Sequence, residues 1–287
     1  MTTTVHHLDR DEGRIAYTLD GPDDAPLVVL LPGMGDTRST WRELTGPLLA
    51  EGYRVAVADL RGQGDSDLTF RTFGDVATAQ DAIALVEHLG GPAVLVGHSM
   101  SAGAAAWAAA ERPDLVAGLA LSGPFLRDPS GNRGGGAARI AFQAVFVPPW
   151  GAFAWTSYYR SPLHRGAQQP WLDEHVAELR ASYRSRARLR QLRRLAGQLT
   201  HAVVEARLAE VDAPTIAFVG ALDPDFPDPR AEATWIRSAL DAQVVLVDDA
   251  AHYPHAQRAD VVVPEVLGFL AGLPREVGGW APAQARA

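Results

Sequence analysis

The stretch Val94-Leu95-Val96-Gly97-His98-Ser99-Met100-Ser101-Ala102-Gly103 joins a short apolar run to an Ala-rich segment. The pattern predicts a buried strand followed by a helix, so the chain must turn sharply at Ser99. Such a turn lifts the serine hydroxyl above the carboxyl edge of a sheet, and only small residues fit two positions before and after it. Gly97 and Ser101 meet that condition, and the turn directs the Met100 backbone N–H at the space beside the hydroxyl. An incidental serine in a strand–turn–helix is the alternative, but this context favours a nucleophile.

Short apolar runs alternate with helical patterns on both sides of this turn, which indicates βα units and an α/β fold with a mostly parallel sheet. We predict an antiparallel edge strand first, and a second strand buried on both faces because it is continuously apolar. The predicted strands are Arg14–Leu19, Leu27–Leu31, Arg54–Asp59, Ala93–Val96, Ala117–Leu121, Pro214–Gly220 and Gln243–Val247. The predicted helices, on both faces of the sheet, are Trp41–Glu51, Asp75–Leu89, Ser101–Glu111, Arg230–Leu240 and Asp260–Leu270.

An inserted segment interrupts this rhythm, because no strand pattern occurs from about Pro124 to Leu208. We expect a sheet-based core over 1–123 and 209–273, a helical cap over 124–208, and a loosely held tail over 274–287. Most aromatic residues of the insertion should pack the cap onto the core, and the others should line an apolar pocket above Ser99. These aromatic residues are Phe125, Phe142, Phe146, Trp150, Phe153, Trp155, Tyr158, Tyr159 and Trp171.

Composition narrows the classes of partner. Acidic residues outnumber basic ones by 34 to 26, so a net charge of −8 disfavours nucleic acid or an anionic membrane surface. The absence of cysteine excludes disulfides and thiolate catalysis. Met1 to Arg14 lacks the apolar core of a signal peptide, and no apolar run approaches the roughly 20 residues that span a bilayer. We expect a cytoplasmic protein with no membrane partner, and homo-oligomerisation is left open.

Two charged clusters have competing interpretations. Seven arginines between Leu179 and Leu195 could form a nucleic-acid patch, but they cover more than one helical face around a stripe of four leucines. A solvated cap helix is the favoured interpretation, although one arginine could contact an acidic substrate group. A metal could be bound by the cluster Asp248, Asp249, His252 and His255, joined by His6-His7. Without cysteine ligands, and with His252 assigned below, we expect neither a metal nor another cofactor.

Besides the turn at Ser99, four stretches occur in the chain order of the α/β-hydrolase superfamily, which the sequence resembles outside the insertion. They are Leu30-Leu31-Pro32-Gly33-Met34-Gly35, Asp59-Leu60-Arg61-Gly62-Gln63-Gly64-Asp65-Ser66, Ile216–Asp225 and Val245–Pro254. The resemblance implies the α/β-hydrolase fold with an inserted helical cap. It also implies that the Met34 backbone N–H joins that of Met100 in an oxyanion hole.

A serine nucleophile needs a base, and the family order is serine, then acid, then histidine. The resemblance assigns His252 as the base and Asp223 as the acid that orients it. Asp225 and Asp228 stay open as alternative acids, because Asp also favours the turns of this loop. We expect His255 to face solvent or the cap. We expect His98 to turn away from the Ser99 hydroxyl and to pack near the oxyanion region.

The resemblance implies a carboxylic ester hydrolase (EC 3.1.1) that cleaves a small to medium hydrophobic ester through a Ser-His-Asp acyl-enzyme mechanism. A carbon–carbon bond hydrolase or a lactonase could use the same triad. A non-catalytic small-ligand receptor of the same fold is the alternative of another class. The serine at position 99 disfavours dehalogenase and epoxide hydrolase chemistry, for which this family uses aspartate. The fold cannot identify the substrate.

Overall fold

The computed structural model describes residues 4–128, 136–273 and 280, and within them eight strands form one sheet. The strand order is β1-β2-β4-β3-β5-β6-β7-β8, with antiparallel pairing of β2 to β1 and β4, and parallel pairing elsewhere. The strands are β1 (Val5–Arg10), β2 (Gly13–Asp20), β3 (Leu27–Leu31), β4 (Arg54–Ala58), β5 (Ala93–His98), β6 (Val116–Ser122), β7 (Thr215–Gly220) and β8 (Gln243–Val247).

Helices cover both faces of this sheet and form the insertion. They are α1 (Arg42–Ala50), α2 (Asp75–His88), α3 (Met100–Glu111), α4 (Gly136–Val145), α5 (Gly151–Arg160), α6 (Leu172–Tyr183), α7 (Arg186–Gln198), α8 (Ala202–Glu205), α9 (Pro229–Leu240), α10 (Pro254–Gln257) and α11 (Ala259–Gly272). Short 3-10 turns occur at Arg38–Trp41 and Leu208–Glu210. The predicted α/β fold class with a mostly parallel sheet is confirmed.

The strand β3 shows why the sheet needs helices on both faces. All five of its residues are buried. Leu27, Val29 and Leu31 pack into one hydrophobic core with side chains of α2, α3 and α9, whereas Val28 and Leu30 pack into a second core with α1 and α11. A strand with two buried faces cannot alternate between polar and apolar residues, which explains its continuously apolar sequence.

The edge of the sheet differs from the prediction. The segment predicted as an edge strand is β2, which lies one position inside the sheet, and β1 pairs with it in antiparallel register. Only Leu8 is buried in β1, and the other residues of that strand are polar or exposed. An edge strand with so few buried residues has no clear apolar alternation, and the sequence therefore did not reveal it.

The insertion between β6 and β7 contains helices and no strand in its described part. The predicted leucine stripe is confirmed, because Leu179, Leu189, Leu192 and Leu195 are all buried. The helix α7 is tied to the core by four side chains that donate hydrogen bonds to the carbonyls of a core loop. The donor–acceptor pairs are Arg188 to Gly64, Gln191 to Leu68, Arg194 to Phe70 and Gln198 to Arg71.

Two cap aromatics have an environment that the sequence did not anticipate, since Trp150 and Phe153 are exposed. The predicted tail lies outside the described residues except for Trp280. That residue is buried, and its indole N–H donates to the carbonyl of Leu27 at 3.2 Å. At Trp280 the expectation of a loosely held chain is therefore wrong. No helix in the described part of the chain combines the length and the hydropathy that crossing a bilayer requires.

Candidate active site

The predicted sharp turn is present between β5 and α3. Ser99 has a φ of 57° and a ψ of −123°, a backbone conformation that residues other than glycine rarely adopt. The turn is held because the Ser99 N–H donates to the Ser122 carbonyl at 2.9 Å, and the Ala102 N–H donates to the Ser99 carbonyl at 3.1 Å. The strained residue is thus fixed from both sides, and its hydroxyl lies at the carboxyl edge of the sheet.

Small residues around the turn are required by backbone contacts. A Cβ atom on Gly97 would lie 2.5 Å from the Ser101 carbonyl oxygen, so no larger residue fits there. Ser101 is accommodated because its hydroxyl donates to the Pro32 carbonyl at 2.5 Å. This bond joins the turn to the loop that contains Met34.

The structure brings three of the sequence-predicted residues into one hydrogen-bonded series. The Ser99 Oγ lies 2.9 Å from Nε2 of His252, and Nδ1 of His252 lies 2.7 Å from Oδ2 of Asp223. The imidazole can therefore donate from Nδ1 to the carboxylate and accept the hydroxyl proton at Nε2. All three side chains are buried.

The two competing acids have other partners. The Asp225 carboxylate accepts a hydrogen bond from the Tyr158 hydroxyl, and its Oδ2 is 3.9 Å from Nδ1 of His252. Asp228 caps α9 by accepting the N–H groups of Arg230 at 3.0 Å and Ala231 at 3.1 Å. Of the three acids, Asp223 is therefore the one that accepts a hydrogen bond from His252.

The charge on His252 is set by opposing effects. Burial lowers the pKa of the imidazole, but the charge and hydrogen bond of Asp223, with the charge of Asp225, outweigh that effect. The pKa of His252 is therefore raised above its ordinary value. The backbone of His252 is also fixed, since its N–H donates to Leu163 at 3.0 Å.

The neighbouring histidines have structural positions. His98 turns away from the Ser99 hydroxyl, as predicted, and its Nε2 donates to the His252 carbonyl at 2.9 Å. The expectation that His255 faces solvent or the cap is wrong. It is buried, with Nδ1 2.8 Å from the Ser122 hydroxyl and Nε2 3.2 Å from that of Thr40. The short helix α10 turns this side chain inward, which residue spacing alone does not reveal.

The predicted oxyanion donors both line the cavity above Ser99. Met100 is the first residue of α3, where a backbone N–H has no partner within the helix. Met34 lies in a loop that is fixed by its neighbour: the Gly35 N–H donates to Gln63 at 2.5 Å, and the Trp155 indole donates to the Gly35 carbonyl at 2.9 Å. No described group accepts a hydrogen bond from the Met34 N–H. The assignment of these N–H groups to an oxyanion remains a prediction.

A cavity of about 520 Å³ lies between the core and the cap and includes Ser99 and His252 in its wall. Most of its lining is apolar or aromatic, and comprises Met34, Phe125, Phe142, Val145, Phe146, Trp155, Leu163, Ala196 and Leu199 among others. A polar group made of Asp128, Thr200 and His201 also lines it. This group could not be predicted from the sequence, because no motif connects residues at the two ends of the insertion.

One group of described residues places metal-ligand atoms close together, namely Asp223, Asp225 and His252. Both imidazole nitrogens of His252 are already bonded, so a metal there would have to displace Asp223 or Ser99. The predicted alternative cluster of Asp248, Asp249 and His255 with His252 does not form such a group among the described residues.

The chain matches the alpha/beta hydrolase family over residues 28–265. It is 27% identical to the putative carbamate hydrolase RutD of Variovorax paradoxus (strain S110) over 218 residues, which are 70% of this chain and 75% of that protein. It is 39% identical to the magnesium-chelatase 30 kDa subunit of Rhodobacter capsulatus over 95 residues. That match covers 32% of this chain and spans only a third of the relative's length, 33%.

A solved structure shares the fold. An alpha/beta hydrolase enzyme from a Medee basin deep-sea metagenome library superposes with a TM-score of 0.78 at 19% identity, covering 94% of this chain and 98% of that one. The family match confirms the resemblance inferred from the sequence motifs. Because the family match extends over more than half of the chain, the protein belongs to the alpha/beta hydrolase family.

Proposed function

We propose that the protein is a carboxylic ester hydrolase that cleaves small to medium hydrophobic esters through an acyl-enzyme intermediate. One observation carries the proposal: Ser99, His252 and Asp223 form a hydrogen-bonded series in the wall of a largely apolar cavity. A serine hydroxyl that is bonded to an oriented imidazole is an activated nucleophile.

The first half-reaction uses these groups in sequence. The Ser99 Oγ attacks the ester carbonyl carbon while His252 Nε2 takes the hydroxyl proton, and Asp223 stabilises the imidazolium that forms. The N–H groups of Met34 and Met100 hold the oxyanion, a contribution of about 3 kcal/mol for each donor. When the tetrahedral intermediate collapses, the carbon–oxygen bond to the alcohol breaks and His252 returns its proton to the leaving alkoxide.

The second half-reaction repeats the chemistry with water. His252 accepts a proton from a water molecule, whose oxygen attacks the acyl carbon of the acyl-enzyme. Collapse of this second intermediate breaks the bond to the Ser99 Oγ, and His252 returns the proton to it. The products are a carboxylic acid and an alcohol, and no cofactor enters the balance.

The cavity supports a neutral substrate. Its apolar lining favours hydrophobic acyl or aryl groups, because burial of apolar surface is favourable by about 25 cal/mol per Å². Two carboxylates, Asp128 and Asp225, also line the wall. Their charges oppose the entry of an anionic group into a site of low dielectric constant.

We predict that a fluorophosphonate labels Ser99 and that Ser99→Ala loses both labelling and hydrolysis of nitrophenyl esters while it stays folded. The hydroxyl is the bond-forming atom, so its removal leaves nothing to acylate. Intact-protein mass spectrometry measures the labelling, release of nitrophenol measures the hydrolysis, and circular dichroism shows whether the variant is folded. Ser101→Ala is the matched control, since that hydroxyl is bonded to the Pro32 carbonyl and should not be needed for labelling.

Two outcomes would contradict the proposal. Labelling that survives in Ser99→Ala would place the nucleophile elsewhere. Absence of turnover for every ester, with Ser99 still labelled, would instead support a carbon–carbon bond hydrolase or a small-ligand receptor with the same triad.

A further inference from the structure

The polar end of the cavity has no task in the mechanism above. It is formed by Asp128, which follows β6, and by Thr200 and His201, which follow α7. Apolar pockets use a few placed polar groups to orient and select ligands. A buried polar group in such a wall is also costly unless it has a partner. This group is therefore a candidate for a specific contact with the substrate.

His201 is held by a buried acid. It is 5% exposed, and its Nδ1 lies 3.0 Å from Oδ2 of Asp75, which is 2% exposed. The two groups adjoin without the alignment of a linear hydrogen bond, and the Asp75 carboxylate has no other side-chain partner among the described residues. The pair resembles that of Asp223 and His252 in joining a buried carboxylate to an imidazole Nδ1.

Stacking against Phe125 fixes the orientation of the His201 ring. Its plane lies within 6° of the Phe125 ring, with the ring centroids 5.2 Å apart. Phe125 is also 5.4 Å from the ring of His252. The Phe125 side chain therefore contacts both imidazoles, which places His201 in the neighbourhood of the reacting centre.

The second nitrogen of His201 is available to a ligand. Because Nδ1 lies 3.0 Å from a carboxylate oxygen of Asp75, that contact favours the neutral tautomer with its proton at Nδ1 and its lone pair at Nε2. No group in the described ranges bonds to Nε2, and His201 lines the cavity. A ligand that donates a hydrogen bond would satisfy this nitrogen.

Asp128 adds a second acceptor beside it. Its Oδ1 accepts the His201 backbone N–H at 2.7 Å, and its Oδ2 accepts the Thr200 hydroxyl at 2.8 Å. These bonds position the carboxylate and use the Thr200 proton, so the polar end offers acceptors and negative charge. It suits a hydrogen-bond donor and disfavours a carboxylate.

We propose that His201, with Asp128, binds a hydroxyl group of the substrate, so that the preferred substrates are hydrophobic esters with a hydroxyl beyond the scissile carbonyl. A hydroxyl can donate to Nε2 or to Asp128 and is neutral, as the apolar remainder of the cavity requires. This inference rests on the proposed ester hydrolysis for its chemistry, but its contacts do not involve Ser99.

The test compares matched nitrophenyl esters whose acyl chains end in a methyl, hydroxyl, ammonium or carboxylate group, in wild type and in His201→Phe. We expect the ratio of kcat/KM for the hydroxyl ester over the methyl ester to fall about 3- to 10-fold in His201→Phe, as loss of one hydrogen bond implies. A parallel series carries these groups on the alcohol portion, with acid release followed by titration.

Two further variants separate recognition from structure. His201→Gln keeps a donor and an acceptor and should retain part of the preference. Phe142→Leu changes only the apolar lining and should shift both substrates together, leaving the ratio as in wild type. A ratio that is the same in wild type and His201→Phe in both series would overturn the inference. So would a preference for the carboxylate or ammonium ester that depends on His201.

Binding to Ser99→Ala distinguishes this inference from the proposed function. Calorimetry would compare non-hydrolysable amides that end in hydroxyl or methyl, with and without His201→Phe. A hydroxyl preference that needs His201 supports the inference even if wild type hydrolyses no ester. Ester hydrolysis without any such preference, in turnover or in binding, keeps the proposed function and removes the inference.

Discussion

Two carboxylates lie near the imidazole of His252, and they act on it differently. The Asp223 Oδ2 is 2.7 Å from Nδ1 and accepts its hydrogen bond. The Asp225 Oδ2 is 3.9 Å from Nδ1, and the Oδ1 of that carboxylate accepts a hydrogen bond from Tyr158. A hydrogen bond fixes the tautomer and the orientation of the ring, but a charge without one changes only the proton affinity. The two acids should therefore be separable by kinetics.

We predict that Asp223→Asn lowers kcat by up to about 10⁴-fold, because the amide favours the wrong imidazole tautomer. Asp225→Asn should keep most of the plateau kcat but move the acid limb of the pH–rate profile to lower pH. The base must be neutral, so activity falls as the pH drops through the raised pKa of His252, and the wild-type limb should lie above about 6.5. Removing the Asp225 charge removes one cause of that raised pKa.

Steady-state pH profiles of both variants measure these effects. Tyr158→Phe is the control, since it removes the hydroxyl bonded to Asp225 and leaves the Asp225 charge in place. Its acid limb should not move to lower pH. A crippling loss of kcat in Asp225→Asn, with Asp223→Asn active, would reverse the two roles.

Residue order along the chain could identify Ser99, Asp223 and His252 because each follows a recognisable strand of the sheet. It could not identify the partner of His201, because Asp75 comes from α2 in the core and His201 from the end of the cap. Spacing also failed for His255, which α10 turns inward to Ser122 and Thr40. Sequence reasoning succeeds where a motif is contiguous and fails where two distant segments meet.

At the scale of elements, the junction of β5 and α3 carries the strain at Ser99 and leaves no space at Gly97. We predict that Gly97→Ala lowers the free energy of unfolding by about 1–3 kcal/mol, since a Cβ there would lie 2.5 Å from the Ser101 carbonyl oxygen and 2.7 Å from the Ala102 Cα. Both neighbours are backbone atoms, which relax only by distorting the turn. Hydrolysis should fall as well.

Gly268→Ala is the matched control. Gly268 is exposed within α11, and a Cβ there would meet no atom within 4 Å, so alanine should raise the free energy of unfolding by up to about 1 kcal/mol. Urea unfolding followed by circular dichroism measures both variants. Equal stability of Gly97→Ala and wild type would contradict the prediction, because it would show that the turn accommodates a Cβ atom at position 97.

The central strands were predictable because burial on both faces demands an uninterrupted apolar run, as in β3 and in the first four residues of β5. The strand β1 was not predictable, because its single buried residue, Leu8, leaves no periodic signal. In the cap, the leucine stripe of α6 and α7 was readable from sequence. The sequence could not show which aromatic side chains line the cavity, because that depends on how the cap helices cross the core.

At the scale of the whole molecule, the cavity of about 520 Å³ lies between the cap and the core. The cap also presents apolar side chains to solvent, with Ile140 69% exposed, Trp150 53% and Phe153 62%. Exposed apolar groups can adsorb to an interface, whereas a cavity of limited volume selects dissolved substrates of limited size. The dependence of the rate on substrate size, and on whether the substrate is dissolved or emulsified, therefore distinguishes binding in the cavity from adsorption of the cap to an interface.

We predict that kcat/KM for nitrophenyl esters rises with acyl chain length and then drops. Each methylene that becomes buried contributes about 0.8 kcal/mol, up to about a fourfold gain, until the cavity is full. Emulsified long-chain triglycerides should be poor substrates, because a cavity of about 520 Å³ cannot enclose two further acyl chains beside the scissile one. The experiment sets a chain-length series against a triglyceride emulsion, with Trp150→Ser and Phe153→Ser as surface variants. A jump in rate once the ester exceeds its solubility, lost in both variants, would assign the exposed cap residues to an interface and contradict the prediction.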